Sequence, residues 1–292
     1  MTLSKLIADA SFNPSTRELS FLDANGEAIS VIIIPSSSPD DPRKPLMFLS
    51  LEDGSTVKLT NSSTNNTYET SSDGENWSSY ALERAITLNE GEKVYFRCTY
   101  FTPTNNDSRY VHFVLTGKLE AYNNVNSMYS VDFANITTLT QQWVFYSLFG
   151  SCSALYRAPL LPATTLSTAC YAGMFSGGSN LAEPPELPAL TLETNCYAGM
   201  FANCSSLTKA PELPATDLAT SCYYRMFRYC THLAEVRCAA LNPPSGESSF
   251  VGACNEWLGN ASANGTFYAD PDAVWTTDVN GIPNNWVRLP LE

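Results

Sequence analysis

Apolar and polar residues alternate over the first forty positions in the manner of paired strands. Leu6 to Phe12 alternates and meets turn residues at Asn13-Pro14-Ser15. Glu18 to Leu22 forms a second run, Asn25-Gly26 is a strong hairpin signal, and Ala28 to Ile34 returns as a third. A ribbon of two or three strands is marginal alone in water, so residues 1–40 are expected to need a partner surface. Ser36 to Pro42 has the composition of a linker.

The next stretch, residues 45–120, predicts a small β-sandwich-like domain. Candidate strands are Leu46–Leu51, Ser55–Leu59, Asn66–Thr70, Lys93–Thr99 and Tyr110–Leu115. Asp53-Gly54, Asp73-Gly74 and Glu90-Gly91 supply turns.

From about residue 144 the pattern repeats. Leu148-Phe149, Met174-Phe175, Met200-Phe201 and Met226-Phe227 recur every 26 residues, and so do Leu155, Leu181, Leu207 and Leu233. Cys170, Cys196 and Cys222, each followed by Tyr, keep the same register, as do Pro162-Ala163, Pro188-Ala189 and Pro214-Ala215. A period in this range means stacked units, because one unit cannot bury its apolar face alone. Within a unit, Leu207 to Leu213 reads as extended around its central proline. Leu218, Cys222 and Met226 then fall at i, i+4 and i+8, which predicts the apolar stripe of a short helix. The expected unit is one strand plus one helix, over residues 121–242. Residues 243–292, with Trp257, Trp275 and Trp286 among Gly and Asn, are expected to cap the exposed end. The overall expectation is an α+β multidomain chain: ribbon, sandwich-like domain, strand-helix (leucine-rich-repeat-like) solenoid and C-terminal cap.

Composition narrows the function. The 292 residues are 44% apolar and 12% aromatic, enough for real cores, and a net charge of −13 from 16 basic and 29 acidic residues argues against nucleic acid or anionic lipid as a partner. The first nine residues lack the apolar core of a secretory signal and a lipid-attachment Cys. The longest apolar run, Val31 to Ile34, is far short of a membrane span. A soluble chain is expected, not inserted in membrane and not exported by the usual route. Nine cysteines without a CxxC pair suggest buried thiols in a reduced environment rather than zinc or redox chemistry. Stacked helices would hold equivalent cysteines about 8–10 Å apart, beyond the roughly 7 Å that a disulfide allows.

Candidate chemistry is sparse. The two histidines, His112 and His232, lie in no metal or hydrolase motif, and Cys230 sits at a repeated structural position although His232 is near. Glu183/Glu186 and Asp270/Asp272 read as solvated loop acids, and Asp23 to Gly26 and Asp73 to Asn76 as hairpin turns rather than calcium loops. No catalytic residue, cofactor or metal ligand is expected. Tyr171, Tyr197 and Tyr223 recur in phase, which favours packing between units. Binding is expected at positions that vary between units: Tyr156, Arg157, Glu183, Lys209 and Glu235, with Tyr224 and Tyr229 added in the last unit.

The strings Cys222-Tyr-Tyr-Arg-Met-Phe-Arg-Tyr-Cys230 and Ala210-Pro-Glu-Leu-Pro-Ala-Thr216 resemble the BspA-like leucine-rich repeat proteins of gut Bacteroides and their phages. The Trp257 to Trp286 segment and the upstream strings Leu51 to Gly54, Ser71 to Trp77 and Ile86 to Val94 are similar as well. The resemblance covers roughly residues 46–290 and implies surface display and binding rather than a reaction. Phe12 to Phe21 resembles the short β-rich attachment segments of phage fibres. The expectation is a non-enzymatic bacteriophage virion protein, a tail- or head-attached fibre or adhesin. It would be joined to other virion proteins through residues 1–40 and present its repeats to a host-surface glycan or protein. Such fibres are commonly trimeric, so a homotrimer is one form the resemblance allows. The alternatives are a bacterial cell-surface adhesion protein and, from a different class, a glycan-processing enzyme.

Overall fold

The computed structural model describes residues 9–13, 18–22, 28–33, 40–61, 65–101, 110–241 and 252–291. It divides into two compact units, Met1–Asp41 and Pro42–Glu292. In the first, β1 (Asp9–Asn13), β2 (Glu18–Leu22) and β3 (Ala28–Ile33) form an antiparallel meander in that order, with Ser20 opposite both Ser11 and Val31. The turn expected at Asn25-Gly26 and most of the linker expected over Ser36 to Pro42 lie outside the described residues.

In the second unit, the strands β4 (Met47–Ser50), β5 (Ser55–Asn61), β6 (Thr67–Ser71), β7 (Ser78–Tyr80), β8 (Ile86–Leu88), β9 (Lys93–Tyr100), β10 (Val111–Thr116) and β11 (Leu119–Tyr122) build a sandwich. They are joined by β12 (Leu155–Arg157) from the first repeat. One sheet runs β10-β5-β8 and the other β12-β11-β4-β9-β6-β7. The strict alternation of these strands explains the arrangement. Val94, Phe96 and Cys98 of β9 and Val111, Phe113 and Leu115 of β10 are buried, and Phe48, Phe96 and Phe113 meet edge-on at 4.8–5.9 Å.

The repeats correct the strand-helix expectation. No α-helix is present among the described residues of the repeats; the segments expected as helices are runs of consecutive turns. Hydrogen bonding shows why. In the second coil Ala172, Met174 and Ser176 donate their N–H back three residues, to Ala169, Tyr171 and Gly173. The intervening Tyr171, Gly173, Phe175 and Gly177 donate to Cys196, Ala198, Met200 and Ala202 of the next coil at 2.7–3.0 Å. An α-helix keeps all its N–H groups local; here every second one leaves for the neighbour. Every fourth residue is left-handed: Trp143, Ser147 and Ser151, then Ala169, Gly173 and Gly177, then Asn195, Gly199 and Asn203, then Ser221, Arg225 and Tyr229. Four-residue turns bring i, i+4 and i+8 to one side just as a helix does, so Leu218, Cys222 and Met226 fit both.

Backbone hydrogen bonding between coils implies ladder spacing, about 4.8 Å, instead of helix-to-helix spacing. Rings therefore stack face to face down the core. Phe149, Phe175, Phe201 and Phe227 follow one another at 5.4–5.6 Å, and Phe145, Tyr171, Tyr197 and Tyr223 at 5.6–6.2 Å. The expected 8–10 Å separation of equivalent cysteines is corrected with the helix that implied it; all nine cysteines are nonetheless free buried thiols.

Two further lines join the coils. Thr138, Thr165 and Thr191 bridge in sequence, and parallel bridges pair Arg157 with Glu183 and Lys209 with Glu235. The last strands, β13 (Glu235–Cys238), β14 (Gly265–Ala269) and β15 (Trp286–Pro290), form a parallel sheet. The tryptophan-rich segment adds a fifth rung: Tyr223, Arg225, Phe227 and Tyr229 donate to Ala253, Asn255, Trp257 and Gly259. Trp257 stacks between Tyr223 at 6.1 Å and Trp275 at 5.4 Å and donates from Nε1 to the Gly281 carbonyl at 2.7 Å. Sandwich, coils and fifth rung share one continuous core.

Candidate binding surface

Because the coils stack in register, residues 26 apart form columns on the outer side of the turn runs. One column reads Tyr146, Ala172, Ala198, Tyr224, and the next reads Ser147, Gly173, Gly199, Arg225. Both are small in the middle and large at the last coil. The result is a trough of about 390 Å³ with an Ala/Gly floor and an aromatic wall at each end. Trp143 and Tyr146, edge-on at 5.2 Å, make the first wall. Tyr224 and Tyr229, carrying Arg225 and Arg228, make the second. Three rungs at ladder spacing put the walls about 14 Å apart.

The second wall is held in place by charge and ring contacts. Arg225 lies over the Tyr224 ring and Arg228 over the Tyr229 ring, each at 4.7 Å. Arg228 also donates from Nη2 to the Tyr229 hydroxyl at 3.2 Å. Glu256, on the fifth rung, accepts from Arg225 Nε at 2.8 Å and pairs with Arg228 Nε at 3.4 Å. The Arg225 hydrogen bond holds the Glu256 carboxyl below the usual carboxylate range.

Backbone conformation separates the wall residues from the rest. Left-handed φ suits glycine and asparagine and costs other residues about 1 kcal/mol or more. At these positions the coils mostly carry Gly, Asn, Ser or Ala, but the trough ends carry Trp143 (φ 60°), Arg225 (53°) and Tyr229 (63°), with Glu256 (50°) behind them. Nothing in the coil stacking requires large side chains there, since Gly173 and Gly199 fill the Arg225 column elsewhere. Strained positions held by costly residues are where function concentrates.

Beyond Tyr146 a second hollow, of about 430 Å³, contains Tyr110 and His112 and shares Ser147 and Ser176 with the trough. Tyr110 packs edge-on against Tyr146 at 5.0 Å. His112 shares a hydrogen bond with Thr60 Oγ1 at 2.9 Å, and burial pushes its imidazole below its ordinary pKa. A larger hollow, about 840 Å³, is the open end of the sandwich beside β7 and β8. It presents mixed charges from Arg84, Glu92 and Lys93, and its one ring, Tyr80, is buried, so it offers no aromatic platform.

Of the residues expected to bind, Tyr224 and Tyr229 are in the trough. Tyr156, Arg157, Glu183, Lys209 and Glu235 do not line it; they belong to the strand ladder, where the charges pair across rungs. Arg157 Nε is 3.5 Å from Glu183 and its guanidinium lies 4.3 Å over the Tyr122 ring, while Lys209 Nζ is 2.8 Å from Glu235. Tyr171, Tyr197 and Tyr223 are buried in the core stack. Trp143, Tyr146, Arg225 and Arg228 escaped the sequence reading, although each breaks its 26-residue column.

Cys230 and His232 do not form a dyad: the Cys230 thiol donates to the Phe201 carbonyl at 3.0 Å and burial pushes it up to about 12, whereas His232 Nδ1 donates to the Ser205 carbonyl at 2.6 Å. Asp73 is an Asx turn, its carboxylate accepting from Ser71, Glu75 and Asn76, which holds it far below the usual range. Among the described residues no group of three His, Cys, Asp or Glu side chains is placed to hold a metal ion, and no helix is long and apolar enough to cross a membrane. No family model, curated protein or solved structure matches this chain.

Proposed function

We propose that this chain is a non-enzymatic binding protein whose trough takes an oligosaccharide of a host surface. The observation that carries the reading is the pair of aromatic walls, built partly on left-handed backbone, facing each other across a floor of alanine and glycine. Sugar rings present C–H faces that stack on aromatic rings, and their hydroxyls suit the Asn195, Asn203, Ser147 and Ser176 side chains along the same surface. A glycosidase needs two carboxylates across the scissile bond. No acidic residue lines the trough, and the nearby Glu256 is tied to two arginines.

In the wider reading the chain is a phage fibre or adhesin, with residues 1–40 joining it to other virion proteins. Two observations support this: the first unit has its own small sheet, which is marginal alone, and Phe12 to Phe21 resembles fibre attachment segments. Mass spectrometry of purified phage particles tests membership; absence of the chain from them removes it. A glycan array probed with the full chain and with a Trp143→Ala/Tyr224→Ala double variant tests the trough. Retained binding by a folded double variant would refute its role.

A further inference from the structure

The second wall carries a charge opposite in sign to that of the chain as a whole. The chain carries −13 overall, yet the trough is lined by two arginines and no acid. Both guanidinium groups are pre-positioned, each stacked on a tyrosine at 4.7 Å. Their shared counter-ion is one carboxylate, Glu256, bound at Nε of each. Two cations against one anion leave a net positive charge at the end of an otherwise uncharged floor. Arg225 spends Nε on Glu256, so its terminal amino groups, the prongs that bind anions in bidentate fashion, remain for a ligand.

The equivalent slots argue that these arginines serve a ligand and not the fold. Arg225 follows Ser147, Gly173 and Gly199 in its column, and Arg228 follows Gly150, Ser176 and Ala202. Three coils stack with no cation in either place. Arg225 also holds a left-handed φ of 53° that the two glycines adopt at no cost. Glu256 stands one rung further on in the Arg225 column, also left-handed at 50°, where it fixes both arginine forks without entering the trough lining.

We infer that Arg225 and Arg228 form a subsite for an anionic substituent of the bound glycan, with the sugar ring that bears it resting on Tyr224 or Tyr229. This rests on the oligosaccharide reading above and narrows it to acidic glycans. The shared chemistry is a planar or tetrahedral oxyanion, from a sugar carboxylate or from a sulfate or phosphate ester.

Calorimetric titration of the full chain with three matched probes tests the inference: a trigalacturonate, its neutral trigalactose counterpart, and a sulfated trigalactose. An acidic probe is expected to bind about ten-fold or more tightly than the neutral one, as charge-assisted hydrogen bonds imply, and to lose affinity as salt is raised. Whichever of carboxylate and sulfate binds more tightly identifies the source of the anion. Arg225→Gln/Arg228→Gln is expected to abolish the preference for acidic over neutral probes, the ratio of the two affinities falling to about one and its salt dependence disappearing, with an unaltered melting curve as the check on folding. Equal, salt-independent binding of acidic and neutral probes would overturn the anionic subsite and leave the glycan reading standing. Binding of none of the three, on a folded chain, would count against both.

Discussion

Tyr146 and Tyr224 occupy the same slot of the coil three rungs apart, and the two rungs between them hold only Ala172 and Ala198 in that slot. One backbone position thus makes both a wall and a floor, depending on which residue the repeat places there. Removing either wall should weaken binding without disturbing the fold. Tyr224→Ala and Trp143→Ala are each expected to lower glycan affinity by several-fold, equivalent to about 1 kcal/mol of ring stacking. Calorimetric titration reads the affinity, and far-UV circular dichroism shows whether the coils are intact.

The left-handed wall residues should trade stability for function. Tyr229 is 40% exposed at φ 63°, in the column where the preceding coil holds Asn203. Asparagine tolerates that conformation better than tyrosine. Tyr229→Asn is therefore expected to keep or raise the melting temperature while weakening binding. A clear fall in melting temperature would mean that Tyr229 serves the fold instead.

In the tyrosine stack, the Tyr171 hydroxyl is fully buried with no hydrogen-bond partner. Burying such a group costs about 1 kcal/mol or more. Tyr171→Phe keeps the ring between Phe145 and Tyr197 and removes the cost, so chemical denaturation should show a stability gain of about 1 kcal/mol. A loss would indicate that the hydroxyl is satisfied.

Much of the fold is legible in the chain, and the difference between the expected helix and the observed turns has a physical cause. Register, stacked aromatic slots and five of the eight sandwich strands follow from period and alternation, because burial obeys both, whereas β7, β8 and β11, of three or four residues each, are too short to show an alternation. The helix did not follow: a four-residue rhythm of Leu218, Cys222 and Met226 belongs equally to a helix and to a train of turns. The distinguishing signal was glycine. Gly173 and Gly177, four apart and echoed by Gly199, are costly inside a helix and suited to recurring left-handed residues. For the site, the expectation that binding residues break the repeat takes in Tyr224 and Tyr229, which line the trough, together with the strand columns of Arg157 and Lys209, where opposite charges pair across rungs. The columns of Tyr146 and Arg225 break the repeat just as visibly, but only the turn geometry shows that they share a surface.

The buried thiols set an alkaline limit. Burial pushes Cys152, Cys196, Cys230 and Cys238 from the ordinary value of 9.0 up to about 12. An unfolded chain releases these protons from about pH 9, while the folded chain keeps them to about pH 12. Their contribution to stability is therefore complete below about pH 9 and is lost progressively as pH rises towards 12. Urea midpoints should fall between pH 8.5 and pH 10.5, both on the order of one unit around this window's lower edge. A flat profile would contradict the burial of these thiols.

On the proposed function, the ligand lies on the open floor between Tyr146 and Tyr224. Ala198→Tyr fills that floor with a side chain that the same slot already accepts in two other coils, so the fold has a precedent for it. Direct titration of wild-type chain and the Ala198→Tyr variant with the best-binding array glycan is the test. The expected result is an unchanged melting curve with binding abolished or reduced at least about ten-fold, roughly the loss of 1.4 kcal/mol. Undiminished binding by the folded variant would contradict the account.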